Sequence, residues 1–469
     1  MKKSLCLLLA LLLTLSLCAC GGETAADTTT ADDAAAESAP LLAGFGRSCI
    51  TPKSKVALSS SQQDTYDAVW ADVYMTCVAL QDANGSIVLL FTTDISYIAA
   101  NNRKTLVRAA SETTGVPESN IVFACTHNHS GLEPSGTVLT LLKNAIKECS
   151  AAAIADLSPA KLEVGTAYPE SFNFVRHYLT TDGYYVGDNY YSPTGAQEEK
   201  HVREADNAMQ LMHFVRAGKQ SILLCNWQAH AVYSYHKEQL CADFIGPLRQ
   251  AVEDETGVLF AYFQGAAGNL NPWSEVGGNQ GGERTLEAMD VYGQKLAQYP
   301  IAAMESLTEV DGTGISLAST ELVVNVRRDS FEMMEAAHAY EEAIAAGKTK
   351  YEAVAASGNL IHSSYGAEFV SDRPRKGTTN DLTISAIRLG DVAFAVVPYE
   401  MFDDSGMYIK EHAPYEMTFI LGYANGRAGY IPSASCVEYG CYEWECGYYE
   451  AGTAEFLVDE YLKLLNGLK

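Results

Sequence analysis

The chain has 469 residues, 48% apolar and 19% charged, with 27 Tyr and 37 Gly; this excludes a disordered or fibrous protein and allows a sizeable core. Lys and Arg total 32 against 58 Asp and Glu, and the formal net charge of -26 opposes nucleic acid or an anionic lipid surface as a partner of the protein body. No protein partner is read from the sequence, and the acidity also serves solubility.

At the N-terminus, Lys2 and Lys3 precede an apolar run from Leu7 to Leu17 that is shorter than the roughly 18 residues a membrane span needs. Residues 1–19 therefore read as an export signal. Its end, Leu17-Cys18-Ala19-Cys20-Gly21, resembles a bacterial lipobox with Cys20 as the lipidated first residue of the mature chain. A plain secretory signal is the competing reading, and Cys18 stands where a small residue is usual. Residues 21–40 contain only Gly, Glu, Thr, Ala, Asp, Ser and Pro, too little hydrophobicity to pack, so 20–42 read as the lipidated Cys and its tether. The expected location is extracytoplasmic, on the bacterial cell membrane, with membrane contact through Cys20.

Residues 43–469 show no internal repeat and no second linker, which predicts a single large domain. Compact apolar runs at Ser86 to Phe91, Asn120 to Cys125, Ser221 to Trp227, Val258 to Phe263, Asp391 to Val397 and Met417 to Leu421 suit buried strands. Between them, Asn102 to Thr114, Thr137 to Ala155, Ile245 to Thr256 and Thr285 to Leu307 suit helices, and Ser330 to Ala356 reads as a helical insertion. The alternation predicts an α/β fold with mixed β-sheets flanked by helices.

Polar clusters follow five of these runs: Thr126 to Gly131, Gln228 to His230, Gln264 to Pro272, Pro398 to Glu400, and Tyr423 to Tyr430. Ligands of open α/β sheets bind beyond the carboxyl ends of strands, so the five clusters are candidates for one site. His127 and His129 are two apart, and extended backbone would put both imidazoles on one face. Taken singly, each residue has an ordinary structural reading. The two histidines can be polar loop residues, His230 a hydrogen-bonded core histidine, and Glu400 a carboxylate at a helix start. Together, two or three imidazoles and a carboxylate match the ligands of a catalytic zinc with an open position for water.

Of twelve cysteines, Cys77, Cys125 and Cys225 lie in apolar runs and read as small hydrophobes. Cys436, Cys441 and Cys446 recur every five residues without the CxxC pairs of a zinc ribbon, leaving either one disulfide or none.

In order along residues 43 to about 456, the chain resembles the catalytic domain of the neutral, non-lysosomal ceramidases, secreted zinc amidases that cleave the N-acyl bond of ceramide. Gly44-Phe45-Gly46 with Ile50-Thr51-Pro52 is similar to the family's opening segment, with Cys49 where Asp is usual. Thr126 to Gly131 resembles THTHSGP with Leu132 for Pro, and Asn173 and Arg176 before Asp182-Gly183 resemble the segment that brings an arginine to the site. His230 with Ala242-Asp243, Gly268 to Pro272, Pro398-Tyr399-Glu400, and Asn425 to Tyr430 with Tyr442-Glu443 are similar to four further motifs.

The resemblance implies a zinc held by His127, His230, Glu400 and Tyr430, and cleavage of an amide by zinc-bound hydroxide. It implies His129 as a second-layer or proton-transfer group, Arg176 as a donor to the oxyanion or a substrate hydroxyl, and Asp243 as the carboxylate orienting a ligand imidazole. The alternatives are a surface ion pair for Arg176 and a helix cap for Asp243. Asn271 replaces the family's serine; its amide can donate to an oxyanion, or it shapes the turn before Pro272. The expected activity is that of a lipid-anchored zinc amidohydrolase acting on a lipid or small-molecule amide, ceramide included. A surface lipoprotein that kept the fold for ligand binding is the alternative.

Overall fold

The structure, a computed structural model, describes residues 41–58, 65–180, 185–187, 198–234, 238–272 and 284–469. The export signal, Cys20 and its tether up to residue 40, and Asp182-Gly183, lie outside the described residues. The described residues all fall within one compact unit. Among the described residues, no helix is long and apolar enough to cross a membrane.

Two sheets face each other. The first contains β1 (Leu42–Cys49), β2 (Tyr74–Gln81), β3 (Ile87–Thr93), β4 (Ile121–Cys125), β5 (Ser158–Ala167), β6 (Met209–Arg216), β7 (Ile222–Trp227) and β8 (Leu259–Gln264). Their order is β8-β7-β6-β5-β1-β2-β3-β4, with Thr308–Val310 added on β5. The second contains β9 (Ile315–Asn325), β10 (Thr379–Leu389), β11 (Val392–Val396) and β12 (Met417–Leu421), in that order. The pairs β3–β4, β7–β8 and β11–β12 are parallel and the others antiparallel, so both sheets are mixed, as the alternation of runs predicts.

Helices α1 (Ala100–Thr114), α2 (Gly136–Ala155), α3 (Ile245–Thr256) and α4 (Leu286–Ala303) cover the outer face of the first sheet. The order is thus helices, sheet, sheet, helices. Period-two alternation explains why both faces of the runs are apolar. On β3, Leu89 and Phe91 join the core under α1 and α2, while Val88 and Leu90 point into the core between the sheets. On β11, Phe394 and Val396 enter that same inter-sheet core, and Ala393 and Ala395 face the opposite way. Gly44 and Gly46 let α2 lie directly on β1, since a Cβ there would sit 2.1 Å from the Ala153 carbonyl oxygen and 2.0 Å from that of Cys149.

Each parallel pair needs a crossover, and α1 and α3 supply two of them. The expected insertion is two helices, α5 (Phe331–Ala345) and α6 (Lys350–Ala356), followed by α7 (Ser364–Asp372), around a small core of their own. Gly347 at φ 76° stops α5, and a capping box of Thr349 and Glu352 starts α6. Helices α8 (Asp403–His412) and α9 (Thr453–Gly467) cover the outer face of the second sheet, and α8 crosses from β11 to β12. Cys77, Cys125 and Cys225 are free and buried in strands.

Candidate metal centre

Five chain segments that leave the carboxyl ends of β4, β7, β8, β11 and β12 are stitched to one another by backbone hydrogen bonds. The Asn425 N–H donates to the Phe123 carbonyl (2.9 Å), Ala424 to Val397 (2.9 Å), Gly422 to Gln264 (2.8 Å), His230 to Leu270 (3.0 Å) and Gly268 to Met401 (2.8 Å). The loops thereby satisfy groups that burial would otherwise orphan, and the side chains they carry gain fixed positions. Two short pairings complete the frame: Leu270–Pro272 runs antiparallel to Asn173–Val175, and Glu400–Met401 runs parallel to Tyr430–Ile431.

His127, His129 and His230 bring donor atoms within 4.8 Å of one another. Nδ1 of His127 lies 3.0 Å from the Ser96 carbonyl, and Nδ1 of His230 lies 2.6 Å from that of Ala267 and 3.1 Å from that of Leu270. A carbonyl only accepts, so each Nδ1 carries the proton and each Nε2 presents a lone pair. Burial, reinforced by Arg176, pushes the His230 pKa down to about 3, and burial against the pull of Glu400 holds His127 well below the usual range. Both rings are neutral near neutral pH.

Glu400 Oε2 stands 3.4 Å from Nε2 of His127 and 3.5 Å from Nε2 of His230. Ion-pair distance makes no ion pair here, because the facing nitrogens bear neither charge nor proton. That oxygen is buried and has no hydrogen-bond donor. The Tyr430 hydroxyl is 3.4 Å from His230 Nε2 and accepts from Arg176 Nη2 at 3.1 Å. Burial, then Glu400, pushes the Tyr430 phenol well above its ordinary value, with Arg176 acting the other way. Converging lone pairs around an unpartnered carboxylate oxygen are unfavourable alone and are satisfied by a cation, and this imidazole, carboxylate and phenol set suits a borderline divalent metal.

Arg176 is buried rather than paired at the surface. Its Nε donates to Glu443 Oε1 (2.6 Å), Nη1 to Asn271 Oδ1 (3.3 Å) and Nη2 to the Gly268 carbonyl (2.9 Å). Glu443 also accepts from His177 Nε2 (2.7 Å). Burial raises the Glu443 pKa, but Arg176 and then His177 outweigh it and bring it down to about 2. The guanidinium thus links the Tyr430 oxygen to the Asn271 amide.

Several expectations change. His127 is not extended: its φ is 58°, and the rings of His127 and His129 meet edge-on, with Nε2 atoms 3.1 Å apart. His129 thus stands beside His127 among the clustered donors. Asp243 orients no ligand imidazole. Its carboxylate accepts from the N–H groups of Tyr233, Ser234 and Phe244 and from the Ser234 hydroxyl, while backbone carbonyls hold the imidazoles. Glu400 precedes α8 by three residues and lies in a short strand pairing rather than at the helix start. Cys436 and Cys441 form a disulfide, and Cys446 is a buried free thiol. Glu443, His177, Ser96 and Tyr423, whose ring stacks on His127 at 3.9 Å, have no role in the sequence reading. Their local traces are Glu443 inside a quoted motif and Tyr423 at the head of the fifth polar cluster; His177 and Ser96 leave none, since each meets its partner through the tertiary fold.

No family model and no curated protein matches the chain. Among solved structures, neutral ceramidase from Pseudomonas aeruginosa matches with a TM-score of 0.67 and 18% identity over 92% of this chain and 74% of that one. A ceramidase complexed with C2 matches with the same score and identity over 92% and 75%. This chain has the mixed α/β fold of neutral ceramidase.

Proposed function

We propose that the chain is a zinc-dependent hydrolase that cleaves the amide bond of an N-acyl lipid or a related small amide. The observation that carries this reading is the buried Oε2 of Glu400, without a donor and facing the Nε2 atoms of His127 and His230. A hydrolase reading is further supported by the shared fold with two ceramidases.

In this reading His127, His230, Glu400 and Tyr430 hold the metal. Bound zinc supplies a Lewis acid for the carbonyl and lowers the pKa of water toward roughly 7. His129, with Nε2 3.1 Å from that of His127, exchanges protons with the attacking water and the departing amine. Arg176 keeps positive charge beside the Tyr430 oxygen and holds Asn271 by Oδ1, which fixes in place the amide assigned here as a donor to the developing oxyanion.

Elemental analysis of purified protein and a panel of N-acyl substrates, ceramide among them, test the proposal. About one zinc per chain is expected, with hydrolysis abolished by a chelator and restored by zinc. Protein free of metal as purified, or hydrolysis indifferent to the chelator, would refute it.

For location, the proposal is a lipoprotein held to the bacterial membrane by Cys20. Replacing Cys20→Ser then moves the chain from the membrane fraction to the soluble one; an unchanged membrane fraction removes the anchor reading.

A further inference from the structure

A second group of donors lies behind Arg176. His177, Cys436, Cys441 and Glu443 are all buried, and one ligand atom from each lies within 4.8 Å of every other. The sulfurs are joined as the Cys436–Cys441 disulfide, and His177 Nε2 is 2.7 Å from Glu443 Oε2. Phe402 packs on the two cysteines and keeps the cluster apolar on that side. The cysteine spacing alone carries no metal signature. The fold adds an imidazole and a carboxylate from two other positions.

We propose that this cluster is a redox-gated metal site: oxidised it is a covalent staple, and reduced it takes one thiophilic divalent cation, zinc for example, through two thiolates, His177 and Glu443. Reduction by a dithiol breaks the sulfur–sulfur bond, transfers two electrons and two protons to the cysteines and leaves the reductant as its disulfide. Metal binding releases the two thiol protons. The proton that His177 directs from Nε2 at Glu443 relocates to Nδ1, freeing Nε2 as a donor. Two sulfurs, a nitrogen and an oxygen make a tetrahedral set. Glu443 keeps Oε1 for Arg176, so loading this site touches the arginine next to Tyr430 without removing its partner.

Cobalt(II) is the probe, because thiolate-to-cobalt charge transfer reports sulfur ligands and the His127, His129, His230 group contains none. Reduced full-length protein is expected to bind one more equivalent of cobalt than oxidised protein and to show the charge-transfer band. The band should weaken in Cys436→Ser and in Cys441→Ser, vanish when both are replaced, and persist in Cys446→Ser and His230→Ala. His177→Ala should weaken cobalt binding at least about 10-fold. Should the cysteine variants fail to fold, alkylating the reduced parent before adding cobalt must abolish the band. Loss of the fold on reduction, absence of the band, or a band that survives alkylation or the double replacement of Cys436 and Cys441 overturns the proposal.

Discussion

Glu400 and Tyr430 are Cα partners in a parallel pairing only two residues long, clamped by the Glu400 N–H donating to the Gly429 carbonyl at 2.9 Å. Two candidate ligands from loops after β11 and β12 are thereby fixed in register by backbone rather than by side-chain contact. This matters because a metal site tolerates little displacement of its donors.

Glu400→Gln keeps the shape and removes the charge. Metal affinity should fall by more than the roughly 10- to 100-fold that loss of an outer partner causes. In chelator-treated protein the sign should reverse, because the variant no longer buries a carboxylate oxygen that lacks a donor. Thermal unfolding of both proteins with and without chelator checks this. A chelated variant that melts below the chelated parent contradicts the account of Glu400.

Asn271→Ala removes an amide whose oxygen accepts from Arg176. If the amide donates to an oxyanion, turnover should fall on the order of 10²- to 10³-fold while metal content is unchanged. Unchanged turnover on a substrate the parent hydrolyses well would leave Asn271 as a turn residue only.

Gly268→Ala tests the frame rather than the chemistry. A Cβ at Gly268 would lie 2.6 Å from the Glu400 carbonyl oxygen and 2.9 Å from that of Met401, both backbone atoms. The strand carrying Glu400 must move away, so both metal retention and the melting temperature should drop. A variant with parental metal content would show that the Glu400 strand yields without cost to the site.

Glu443 links stability to acidity. Its folded pKa of about 2 is below the ordinary value of 4.5, so its contribution is present above the unfolded pKa and lost as pH falls from about 4.5 toward 2. The shift corresponds to roughly 3 kcal/mol. Glu443→Gln should be less stable than the parent at neutral pH, and the gap should narrow across that acid window. Denaturant midpoints measured between about pH 5 and pH 2.5 decide it, and a gap independent of pH would assign the effect to packing.

Much of the frame is legible in the chain itself. A strand buried on both faces shows as a short continuous apolar run, so β3, β4, β7, β8, β11 and β12 stand out, and the polar clusters beyond five of them mark one end of the sheets. Antiparallel strands such as β9, with one face partly exposed, mix polar and apolar residues and escape that pattern. The residues that the tertiary structure gathers around the centre, His127, His129, His230, Glu400, Tyr430, Arg176 and Asn271, all lie in or beside those clusters or in a motif named from sequence.

What only the fold decides is the partner of each group. Arg176 meets Glu443 across 267 positions, and no local pattern announces which carboxylate will be buried beside it. Asp243 accepts from the backbone N–H groups of Tyr233 and Ser234, while the ligand imidazoles meet the carbonyls of Ser96 and Ala267. His127 adopts a positive φ that the alternation rule for strands does not foresee. For Arg176 and Asp243 the deciding cost is desolvation: a buried polar group must find a partner wherever packing leaves one, and sequence distance does not enter that requirement.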